Sequence, residues 1–217
     1  MGREGEAGAG MFLVVEGPEG AGKTTLVRWL ASQLLAEGRP ALTVREPGGT
    51  PVAEAARKLA LKSKHDIAPA AELFLILAAR ADLVEREIRP ALEAGKVVVA
   101  DRFDLSTQAY QVAGRGLPRA DVGAALRLAT GGLVPDLTLV LDVPVEVGRQ
   151  RQRHARKEQD RIERQDDAFH ERVRAAYHEA SGAGVVHLDA TQSKKAVQEA
   201  AWREVTAVSA HSLRGMS

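Results

Sequence analysis

At 217 residues, with a formal net charge of +1, 45% apolar and 27% charged residues, the chain has the balance of one ordinary globular domain. It carries no global basic field of the kind that advertises nucleic acid or a membrane surface. It contains no cysteine, which excludes disulfides and thiolate metal ligands and fits a cytoplasmic location, and no apolar stretch approaches the ~20 residues of a membrane span.

The opening, MGREGEAGAG, lacks an apolar signal region and reads as a flexible tail over 1–10. MFLVVE then reads as a strand, and KTTLVRWLASQLLAEG as a helix closed by Gly38. PALTVRE is a second strand. PVAEAARKLALK is a short helix entered through Pro51, and PAAELFLILAARADLVEREIRPALEAG a long, largely buried one. KVVVAD gives a third strand, followed by helical patterns around 105–112 and 118–130. PDLTLVLD is a fourth strand, and PVEVGRQRQRHARK a helix that turns very basic. DAFHERVRAAYHEAS is another helix, GVVHLDA a fifth strand, and KKAVQEAAWREVTAVSA the last helix. Near-continuous apolar strands separated by helices imply an α/β fold, a parallel sheet covered on both faces. One domain is expected over 11–210, with a mobile basic excursion at about 149–163 and a second tail over 211–217.

Between the first strand and helix lies Gly17-Pro18-Glu19-Gly20-Ala21-Gly22-Lys23-Thr24-Thr25, which fits the P-loop pattern in the structural context that pattern requires. Glycines let successive main-chain N–H groups curl inward onto phosphate oxygens, and the start of the helix adds its positive end. Lys23 then reaches the β- and γ-phosphates, and the Thr24 hydroxyl can ligate Mg²⁺. These residues predict binding of a nucleoside triphosphate. A guanine-reading NKxD element is excluded, because the chain contains no asparagine. A small kinase for a phosphate acceptor and a non-catalytic nucleotide switch remain open.

Further arginines favour the kinase. REPGGT ends the second strand, Arg57 lies on the next helix, and Arg80 sits in an otherwise apolar helix. DRFDLSTQAYQ puts Asp101 and Arg102 at the tip of the third strand. The carboxyl ends of parallel strands line one crevice, so the P-loop, Glu46, Asp101 and Arg102 should converge there. Guanidinium groups beside a P-loop imply a second anion, since they bind phosphate bidentately. Asp101 is the expected second Mg²⁺ ligand, with Asp142 as a rival. For Arg80 the alternative is a core arginine paired with Glu72 or Asp82. The six histidines form no metal-binding spacing.

The run EGPEGAGKTT, REPGGT, AAR, DRFDLSTQAYQ, GRG, PDLTLVLDV and DRIE resembles bacterial thymidylate kinases in order and spacing, from about residue 12 to residue 192. The resemblance implies a cytoplasmic homodimer with a P-loop fold of sheet order 2-3-1-4-5. It implies transfer of the γ-phosphoryl of ATP to dTMP with Mg²⁺, giving dTDP for dTTP supply. It puts Glu19 beside the acceptor sugar, Arg57 and Arg102 on the dTMP phosphate, and Glu46 and Pro47 at the same site. Arg80 then meets the thymine edge, and Thr107, Gln108, Tyr110 and Gln111 close around base and sugar, Tyr110 against the deoxyribose. The loop over 189–192 contacts adenine.

The P-loop has no arginine of its own, so the charge that neutralises the transferring group is expected from the lid. Arg151, Arg153, Arg156 and Arg161 are the pool, with Arg153 first and Arg161 second. An arginine so placed contributes ~10³–10⁵ in rate. The family pattern breaks at Ile76, where a phenylalanine usually stacks on thymine, at Leu77, often tyrosine, and at Phe103, commonly tyrosine or histidine. Phe74 should point elsewhere on the helix. Weaker or less selective base binding is expected.

Overall fold

A computed structural model describes residues 10–154 and 160–214. Five strands, β1 (Met11–Glu16), β2 (Ala41–Arg45), β3 (Val97–Asp101), β4 (Leu137–Asp142) and β5 (Val185–Asp189), form one parallel sheet in the order β2-β3-β1-β4-β5. This is the predicted order. β1 lies at the centre, pairing with β3 on one side and β4 on the other, and all six of its residues are buried.

Alternation along the strands divides the core. Leu13, Val15, Leu139 and Leu141 face α1 (Lys23–Ala36) and α9 (Lys194–Arg214), packing on Leu30, Leu34 and Val205. Phe12, Val14, Val98 and Ala100 face the other way, onto Leu83, Val84, Ile88 and Phe103. α9 continues through Arg214, past the 210 boundary drawn from the sequence.

The long helix after α2 (Pro51–Lys62) is one path in three parts. These are α3 (Pro69–Leu83), a π-helical turn over Val84–Ile88, and α4 (Arg89–Glu93). Pro90, which has no N–H to return to the preceding turn, follows just after the wider turn. Similarly, α5 (Asp104–Thr107) opens into a π-helical stretch over Gln108–Gly114 before α6 (Arg119–Thr130). α7 (Val145–His154) leaves the tip of β4. α8 (Asp167–His178) starts at Asp166, whose carboxylate accepts from Phe169 N at 2.8 Å.

Candidate active site

The loop between β1 and α1 turns on three glycines with positive φ: Gly17 at 136°, Gly20 at 74° and Gly22 at 101°. A β-carbon on Gly20 would lie 2.2 Å from the Gly148 carbonyl oxygen, and one on Gly148 would lie 2.4 Å from that of Glu19. The loop therefore meets α7 main chain to main chain. Lys23 is buried and donates to the carbonyls of Gly17 (3.0 Å) and Pro18 (2.8 Å). Burial, then the neighbouring Arg102 charge, lower its pKa to about 8. The Thr24 hydroxyl donates to Asp101 Oδ2 at 2.5 Å, joining the two expected Mg²⁺ ligands.

Glu16 is fully buried and ties three elements together. It accepts from Phe103 N (2.7 Å), Ser106 N (3.0 Å), Ser106 Oγ (2.6 Å) and Tyr177 OH (3.1 Å). Burial pushes its carboxyl upward against the pull of Arg102 and these donors. Arg102 takes φ 78°, a left-handed conformation rare outside glycine and frequent where a side chain must be aimed. Its guanidinium donates to the Gly17 carbonyl, Ser106, Tyr177 and Tyr110, and to Glu19 Oε1 at 2.5 Å. Glu19 also accepts from Tyr110 OH at 3.2 Å, so it is turned to the site rather than to open solvent.

These groups border a cavity of about 1620 Å³. On the nucleotide side Glu19, Gly20, Gly22, Lys23, Thr24 and Thr25 line it, while Gly17, Pro18 and Ala21 form the back of the loop. Glu46, Pro47, Arg57 and Arg102 line it as well, Arg102 against the loop itself. Arg57 donates to the Pro47 carbonyl at 2.7 Å. Ile76, Arg80, Thr107, Tyr110 and Gln111 close the inner end.

Arg80 is buried and donates to Glu46 Oε2 (2.5 Å), Thr107 Oγ1 (2.9 Å) and the Phe103 carbonyl (2.8 Å). Its carboxylate partner is thus Glu46, not the Glu72 or Asp82 offered by the sequence, because Glu72 and Asp82 bind other groups. Burial pushes the Glu46 carboxyl upward against the Arg80 charge. Glu46 Oε1 and Gln108 Oε1 are buried with no hydrogen-bond partner among the described residues.

Other sequence candidates lie apart. Gln108 is not on the cavity wall. Phe103 is core, edge-on to Phe12 at 4.9 Å and beneath Arg80. Phe74 is exposed, and Leu77 packs towards α6. Asp142 accepts from His187 at 2.7 Å and does not line the cavity. In the lid, Arg151 and Arg153 do line it, with Arg151 donating to the Ala190 carbonyl at 2.9 Å. Arg156 lies outside the described residues. Arg161 is absent from the wall; it donates to the Ala60 carbonyl and pairs with Glu72.

Sequence reasoning missed Tyr177, which lies 161 residues from Glu16 and whose helix position shows only an apolar periodicity. It also missed Glu72 as a hub for Gln111, Arg115 and Arg161. The GRG triplet and the DRIE run were signals for both arginines, but not for a shared carboxylate.

The thymidylate kinase family profile matches residues 15–201. Thymidylate kinase of Thermomicrobium roseum is 47% identical over 200 residues, spanning 91% of this chain and 95% of that protein. Thymidylate kinase of Pseudomonas putida (strain F1) is 48% identical over 194 residues, 88% of this chain and 92% of its own. The crystal structure of thymidylate kinase from Ehrlichia chaffeensis superposes with a TM-score of 0.74 at 25% identity, covering 91% of this chain and 99% of the other.

Proposed function

This chain belongs to the thymidylate kinase family, and on that premise we infer that it transfers the γ-phosphoryl group of ATP to dTMP, giving dTDP. The observation that carries the reading is the cavity itself, with a glycine loop and Lys23 on one wall and the guanidinium groups of Arg57 and Arg102 facing the same space. Two anions are served by one cleft, as transfer between two phosphates requires.

In this reading the loop amides and the start of α1 take the ATP phosphates, and Lys23 moves from its carbonyl partners to the β- and γ-oxygens. Thr24 and Asp101 are paired hard-oxygen donors, suited to Mg²⁺ arriving with the nucleotide. The ion, when bound, neutralises charge between the phosphates. Arg57 and Arg102 hold the dTMP phosphate in line. Arg102 already faces Glu19, so the acceptor phosphate competes with a carboxylate for its fork, and Glu19 is released towards the acceptor sugar. Arg153 is the lid residue that neutralises the transferring group. Ile76, Arg80, Thr107, Tyr110 and Gln111 enclose the base and sugar.

A homodimer is part of the same proposal. Apolar side chains are exposed on successive packed helices, Val52 and Leu59 on α2, Phe74 on α3 and Leu128 on α6. Sedimentation should give twice the chain mass. A cytoplasmic location fits a chain in which no described helix is long and apolar enough to cross a membrane.

A coupled assay of dTMP-dependent ADP release tests the reaction. Wild type should turn over with dTMP, exceed its rate with dUMP, dCMP, dGMP and UMP, and lose the activity in Lys23→Ala. No release with dTMP would overturn the reading.

A further inference from the structure

Glu72, in the first turn of α3, is fully buried, yet it touches neither the P-loop nor either phosphate-clamping arginine. Its Oε1 accepts from Gln111 Nε2 (2.9 Å) and Arg115 Nε (3.2 Å). Its Oε2 accepts from an Arg115 terminal nitrogen (2.9 Å) and from Arg161. Arg115 is itself held by Gln165 at 2.8 Å and by the face of Phe169. One carboxylate thus joins α3, the π-helical wall of the cavity and the turn that follows the lid. Burial alone would raise its pKa, but the hydrogen bonds from Arg115, Gln111 and Arg161 hold it below the ordinary carboxylate value.

An ionised carboxylate only accepts hydrogen bonds. The end of the Gln111 amide that faces Glu72 must therefore be its NH₂. That fixes the other end: Gln111 lines the cavity, and its Oε1 makes no hydrogen bond among the described residues. We propose that Glu72 is a positioning residue for base selection: by holding the Gln111 amide one way round, it makes the cavity wall present an acceptor, so that the site demands a ring N–H from the base. Thymine carries such a donor at N3, whereas cytosine carries a lone pair there and would meet the oxygen acceptor to acceptor. A site built to receive a hydrogen bond rejects a ligand that lacks the donor far more strongly than an apolar pocket rejects a change of shape. The inference rests on dTMP being the acceptor, and it adds where the choice between pyrimidines is made.

The test is a double-mutant cycle read as the ratio of kcat/KM for dTMP to that for dCMP. Glu72→Gln can present either end of its own amide, so the Gln111 amide is free to turn, and the ratio should fall by about 10-fold. Gln111→Leu removes the amide and should lower the ratio at least as much. In the Gln111→Leu background, Glu72→Gln should change the ratio no further, because its effect passes through that amide. A Glu72 that merely supports the fold would lower both substrates alike and leave the ratio in place, which overturns the proposal. So does a full, additive effect of Glu72→Gln on top of Gln111→Leu. If Glu72→Gln does not fold, Gln111→Leu decides alone: an unchanged ratio is fatal. Failure of wild type to use dTMP at all would instead overturn the assigned reaction.

Discussion

The two walls of the cavity are built in different ways. The nucleotide wall comes from one short run, 17–25, of which Glu19, Gly20 and residues 22–25 reach the cavity, and its shape depends on glycine backbone angles. The acceptor wall draws side chains from β2, α2, α3, β3 and the helical stretch after it, and several arrive already paired: Arg102 with Glu19, Arg80 with Glu46, and Gln111 with Glu72, which lies behind the wall. A main-chain cradle recognises phosphate, which every nucleoside triphosphate has. A mesh of paired side chains admits a ligand only by exchanging one partner for another, and that exchange is where discrimination arises.

The largest effect should come from the one side chain the nucleotide wall cannot do without. Lys23→Ala is expected to lower kcat by ~10³, the scale of losing a preorganised charge at a transferring group. Single-turnover measurement of ADP formation checks it, and a loss under tenfold would mean the loop amides suffice. On the acceptor wall, Arg102→Ala should lower kcat/KM for dTMP by ~10²–10³. It should also destabilise the fold by ~3 kcal/mol, since Glu19 and two tyrosine hydroxyls lose their shared partner. Arg102→Lys should recover little, because a point charge cannot replace the fork. If Arg102→Ala melts like wild type in urea, the mesh is not structural and the contrast between the walls fails.

Ile76→Phe sharpens the contrast in the other direction. A ring at this cavity-lining position should lower the dTMP KM about 5-fold or more, using the ~1–3 kcal/mol of aromatic–base stacking. An unchanged KM would show that aliphatic contact already serves.

The smallest effect is one of pH. The Lys23 pKa is lowered to about 8 from 10.5, so between those values the folded chain binds fewer protons than the unfolded one, and folding stability rises with pH across that window. Function runs the opposite way. The neutral amine has lost its charge for phosphate, so kcat/KM for ATP should halve near pH 8, whereas kcat should hold to higher pH because bound phosphates restore the proton. A kcat/KM flat to pH 10 would mean the ammonium stays charged in place.

The strands and the P-loop were legible because each depends on local signals: apolar runs, glycines, and a lysine directly after them; the strand order came only through the family resemblance. Arg57, Arg102, Tyr110 and Gln111 were placed through motifs at the ends of strands or on the helices after them. What resisted was pairing across the chain. Nothing near Arg80 names Glu46 as its carboxylate, and Arg161 sits in a motif that suggests the lid while its guanidinium reaches back to Glu72. The π-helical turns were equally hidden, since a wider turn leaves no period of its own in a short stretch.

The abutment of Gly20 on Gly148 has a mechanical consequence. With no β-carbon on either side, α7 rests on the nucleotide loop as a shaft rests in a bearing, and the two backbones are geared together. A side chain at either glycine would force α7 and the nucleotide loop apart, so the spacing between them is set at this one contact.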